Sequence, residues 1–96
     1  MVLQIHAEAI NILQYMKNPS FIIIELKNKL VVDFAEDIEE AYQKCKIAKA
    51  YGSECKFFEM SVESIEKIRE ATKNVDVNHP QKGVAIEGLD SVFFPS

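Results

Sequence analysis

The chain has 96 residues, 48% of them hydrophobic and 27% charged, with a formal net charge of −4. That composition fits one small globular domain over residues 1–96 and argues against disorder. It excludes a transmembrane span, because no apolar run reaches about 18 residues, and the acidic balance supplies no electrostatic footprint for nucleic acid.

The opening MVLQIHAEAINIL carries Glu8 inside its apolar pattern and has no basic leader region. No secretory signal is expected, and the expectation is a soluble cytoplasmic chain. Residues 2–18 place Val2, Ile5, Ala9, Ile12, Leu13 and Met16 on one helical face, widened by Leu3 and Ile10. Asn18-Pro19 ends that pattern, because the residue before proline is pushed out of the helical region. FIIIEL (21–26) and LVVDF (30–34) are short β-branched runs separated by Lys27, Asn28 and Lys29, and they read as a β-hairpin. Three consecutive isoleucines, Ile22 to Ile24, require cover on both faces of that strand.

Residues 36–51 read as a helix with an apolar stripe of Ile38, Ala41, Tyr42, Cys45 and Ala48. Glu36, Asp37, Glu39 and Glu40 crowd its start and Lys44, Lys46 and Lys49 its end, which complements the helix dipole. Gly52 fits the left-handed position beyond it. KFFEM (56–60) is a third strand. Ser61 can cap a helix over residues 62–73, with a stripe of Val62, Ile65, Ile68 and Thr72. Residues 74–82 are polar and include His79-Pro80, which suggests a loop. Residues 84–87 form a short fourth strand, and 89–96 a tail that is docked or free. The expected fold is α/β, of order α-β-β-α-β-α-β: a mixed four-stranded sheet containing a hairpin, with helices packed against it. The two later helices are expected to link parallel strands.

Asp33, at the end of LVVD, poses the main chemical question. With Glu36 three residues on, it forms a capping box for the following helix. The catalytic alternative is a metal-dependent hydrolase or nuclease. A strand-end Asp followed by E-x-K resembles the PD-(D/E)xK nuclease pattern, and Glu54 and Lys56 supply that E-x-K. Glu25 and Lys27 supply a second match, upstream of the Asp. A whole helix separates Asp33 from Glu54, and no proline precedes Asp33. A third reading is a small-ligand pocket at the carboxyl ends of the strands, near Asp33, Met60 and Ser61.

Other chemistry-bearing residues are sparse. Cys45 and Cys55 are too few for a disulfide scaffold or a four-ligand zinc site, and read as reduced thiols, Cys45 in an apolar stripe. His6 and His79 match no ligand spacing. Gly52, Gly83 and Gly88 are too scattered for a phosphate loop. Phe57-Phe58 and Phe93-Phe94 lack the basic surroundings of a base-stacking surface. No motif requires a cofactor or a metal.

From Ala7 to Ala71 the order of features resembles a STAS domain of the anti-anti-sigma factor type. A helix precedes an apolar strand (FIIIEL), and a second apolar segment ends in Asp at a helix start (LVVDFAED). The helix ends in a lysine-glycine region (AKAYGSE), and a strand and a Ser-led helix follow (FFEMSVESIEKI). That family's opening strands are not read before the first helix. Its Asp-Ser-Ser-Gly type signature falls on Asp33, Phe34, Ala35 and Glu36, so the resemblance implies a protein-binding domain without the phosphorylatable serine. The resulting expectation is a small non-catalytic interaction or regulatory module with a protein partner, and a homo-oligomer as a further option. The acidic cluster Glu36, Asp37, Glu39 and Glu40 is the candidate surface for a basic partner.

Overall fold

The computed structural model describes residues 3–73, 84–86 and 88–94. The fold is mixed α/β, with strands β1 (Leu3–Ile5), β2 (Phe21–Glu25), β3 (Leu30–Ala35), β4 (Cys55–Glu59) and β5 (Val84–Ile86). Its helices are α1 (Ala7–Tyr15), α2 (Ile38–Ala50), α3 (Val62–Thr72) and the short α4 (Asp90–Phe93). The sheet order is β4-β2-β3-β1-β5, so the described residues form five strands where four were expected. β1 runs parallel to β3, and every other neighbouring pair is antiparallel.

The extra strand is β1. Residues 2–18 are not one helix: Leu3 and Ile5 are buried strand residues, and His6 caps α1 by accepting the Glu8 amide at Nδ1, at 3.1 Å. A three-residue alternation and a helical stripe are indistinguishable at that length, and pairing with β3 and β5 decides it. The β2–β3 hairpin forms as expected. In its turn the Glu25 carboxylate accepts the amides of Lys27 and Asn28.

Ile22, Ile23 and Ile24 are all buried. Ile22 and Ile24 join a large core with Leu3, Ile5, Ile10, Leu13, Val31, Phe34 and Ile68, the side covered by α1, α3 and α4. Ile23 joins Ala35 and Ala41 in a smaller core beneath α2. β3 and β4 are both antiparallel to β2, so α2 links two parallel strands across it. The same expectation for α3 is corrected: β5 is antiparallel to β1, which is parallel to β3, so α3 joins strands of opposite direction. Part of the tail is docked. Leu89 and Phe93 are buried, and Phe93 and Phe94 pack on Phe58 with centroids 5.4 and 5.2 Å away. The loop expected over 74–82 lies outside the described residues.

Two local signals in the sequence hold. Ser61 caps α3 by accepting the Ser64 amide at 3.1 Å. Gly52 closes α2 at φ +86°, its amide donating to the Lys49 carbonyl at 3.0 Å while Ser53 donates to Ala48 at 2.9 Å. This pair of bonds is a Schellman motif. A Cβ on Gly52 would touch nothing within 4 Å, so only the left-handed backbone opposes a side chain. Gly52→Ala is therefore expected to lower stability by about 1–2 kcal/mol, read as a lower denaturant midpoint at unchanged slope.

Candidate functional site

Asp33 is not the cap of α2. It lies inside β3, and the cap is Asp37, whose Oδ1 accepts the Glu40 amide at 2.8 Å while Glu40 Oε1 accepts the Glu36 amide at 3.3 Å. The cause is a β-bulge. Ile23 pairs with Asp33 and Ile24 with Val31, which leaves Val32 as the extra residue. Two successive side chains, Val32 and Asp33, thus turn toward α2, and β3 continues to Ala35 before the helix can begin.

The inward face of α2 is also rotated from the expected stripe. Ile38 and Tyr42 are exposed, and Ala41 is the buried residue, with Lys44, Cys45 and Ala48 half-buried. Lys44 is tolerated there because its ammonium donates to Asp33 Oδ1 at 3.0 Å and to the Phe34 carbonyl at 2.7 Å, with Glu40 Oε1 at 3.4 Å.

Because α2 is the single described helix on its face, the sheet is open on both sides of it. Toward β3 lies a cavity of about 440 Å³ lined by Ile23, Val32, Asp33, Lys44, Ser53 and Cys55, among others. Toward β4 lies a groove of about 530 Å³ lined by Tyr42, Cys45, Lys46, Lys49, Cys55 and Phe57, among others. Cys55 borders both. Its Sγ lies 3.6 Å from Ser53 Oγ. Burial first, then Cys55, then Asp33 push the Cys45 thiol above its ordinary pKa. Cys45 is thus a half-buried thiol on an open groove rather than the buried one its place in the apolar stripe implies.

Of the residues of the hydrolase alternative, Glu54 and Lys56 both border the groove between α2 and β4, whereas Asp33 lines the cavity on the other flank of α2. Lys56 borders that groove, but it is in register with Ile24 and its ammonium lies 5.3 Å from the Phe58 ring centroid, so its charged end turns toward the α1/α3 side. Asp33 is in register with Ile23 and faces α2, with β2 between β3 and β4. Glu54 precedes β4, at the groove. The suggested ligand pocket is split in the same way, since Met60 belongs to the large core on the other side of the sheet from Asp33. Of the acidic cluster, Asp37 and Glu40 hold the start of α2, Glu36 accepts the Asn18 amide at 3.3 Å, and Glu39 is exposed.

No protein-family model, curated protein or solved structure compared with this chain matches it.

Asp37→Ala is expected to cost about 1 kcal/mol and to speed amide exchange at Glu40, whereas Asp33→Ala leaves Glu40 protected. Exchange measured on both variants checks the assignment of the cap. Cys45 is expected to alkylate slowly with iodoacetamide at neutral pH, and faster in Asp33→Asn, which removes one charge that disfavours its thiolate. Peptide mapping of the time course reads this. Because folding raises the thiol pKa, the stability linked to Cys45 is complete below the unfolded thiol's pKa. It is lost as pH rises through the folded one.

Proposed function

We propose that the protein is a small non-catalytic interaction module, and that it recognises its partner with the outer face of α2 and the groove between α2 and β4. One observation carries this reading: α2 exposes large apolar side chains over its whole length. Ile38, Tyr42 and Ile47 are 61%, 57% and 57% exposed, and Tyr51 at its end is 87% exposed. Scattered apolar residues on a surface need no explanation, but Ile38 and Tyr42, four apart on the side of the helix that borders the β4 groove, support a contact surface there, while Ile47 lines the cavity toward β3.

The charge around the groove narrows the partner. Lys46 and Lys49 line it against Glu54, on a chain whose net charge is −4. Positive charge is local here, so the fitting partner is a protein segment with an apolar side chain flanked by carboxylates. The acidic start of α2 is the weaker choice of surface, because Glu36, Asp37 and Glu40 already accept backbone amides. The resemblance to a STAS domain implies the same broad class of function, a protein-binding domain without the phosphorylation switch. The separation of Asp33 from Lys56 weighs against the hydrolase alternative.

The test compares proteins retained from source-cell lysate by the wild-type chain, Tyr42→Ala and Lys49→Glu, at low and high salt. The expected result is one protein retained by the wild type, retained at least about tenfold less by each variant, and released by salt, with the variants melting as the wild type does. Equal retention by all three chains, or no specific retention by the wild type, overturns the reading.

A further inference from the structure

We infer that Cys45 and Cys55 together form a two-thiolate binding site for a thiophilic monovalent d10 metal ion, the chemical class of Cu(I). This goes beyond the docking reading and does not depend on it.

Three observations converge. Both cysteines line the same groove between α2 and β4, one from the helix and one from the strand. Both pack against the same buried trio of Ile23, Ala35 and Ala41. Each is half-buried, so the sulfurs are sheltered yet reachable through the groove. The charge of Cys55 is also among the influences acting on Cys45, as expected of neighbouring sulfurs.

The donor count selects the ion. Among the described residues no group of three His, Cys, Asp or Glu is placed to hold a metal. Zinc, which takes four ligands in its structural sites, is poorly served by two. A soft d10 ion accepts two thiolates, and soft thiolate ligands favour it.

The charge balance fits as well. Binding follows M⁺ + 2 RSH → [M(SR)2]⁻ + 2 H⁺: two S–H bonds break, two metal–sulfur bonds form, and no oxidant or reductant is consumed. The product carries one negative charge, and Lys46 and Lys49 line the groove beside it. Because each thiol gives up its proton on binding, metal and protons compete directly.

The test is an anaerobic titration of the reduced chain with Cu(I) held by the chromogenic chelator bicinchoninate. The expected result is one ion per chain, near-complete loss of binding in both Cys45→Ser and Cys55→Ser, and release of two protons per ion. Affinity should fall about 100-fold per pH unit on acidification below the thiol pKa values. Thermal melts of both serine variants establish that they fold. Failure of the chain to take Cu(I) from the chelator overturns the inference. So does full binding by either serine variant, one ion shared between two chains, or Zn(II) binding as tight as Cu(I).

Discussion

Burial of β2 on both faces is the constraint on which the rest of the structure depends. Ile22, Ile23 and Ile24 are at most 1% exposed, and strand alternation sends the middle one to the face opposite its neighbours. Each fully buried isoleucine contributes about 1.5–3 kcal/mol relative to an exposed one. A sheet with this strand inside it needs helices on both sides. α1, α3 and α4 cover one side, and the crossover from β3 to β4 carries α2 over Ile23 on the other. Parallel strands need such a crossover in any case, so the connection that satisfies β3 and β4 also completes the second core.

The cover is unequal, and the grooves follow from that. A helix with its side chains is about 10–12 Å wide, and strands repeat every 4.8 Å or so, so one helix shields two or three strands. α2 therefore leaves Phe57 and Cys55 of the edge strand half-buried and opens a channel on each side of itself. The bulge in β3 adds chemistry to that face. It turns both Val32 and Asp33 toward the helix, and Asp33 makes an inward lysine at position 44 acceptable. With Lys44 directed inward, Ile38 and Tyr42 rotate to the outside, where they become available for contact.

What was legible in the sequence is what local chemistry decides. The isoleucine run, the polar hairpin turn, Ser61 as a cap and Gly52 in the left-handed region each depend on residues within a few positions. The misreadings all turn on distant partners. Leu3-Gln4-Ile5 becomes a strand because β3 and β5 flank it, and those partners lie 26 and more residues away. Asp33 loses the cap to Asp37 because Val32 is absorbed by a bulge, which is a property of its pairing with β2 rather than of LVVDFAED itself. The stripe of α2 was placed by hydropathy, which favours Tyr42 over Lys44 until the carboxylate eleven residues earlier is brought beside it. Likewise, nothing in the spacing of Cys45 and Cys55 announces a shared groove. The crossover creates it.

The lysines and thiols share that groove. Burial and neighbouring charge disfavour the Cys45 thiolate, and Lys46 and Lys49 line the groove with Glu54. On the proposed docking reading, that charge favours a segment carrying carboxylates. A monovalent ion that displaces two thiol protons leaves a net negative complex between the same walls, and the lysine charge is then partly neutralised from within. If both proposals hold, metal binding weakens the attraction for an acidic segment, and a bound acidic segment weakens the metal by the same factor, since coupling between two sites is reciprocal. Both proposals rest on one geometry, a single described helix lying across a sheet too wide for it.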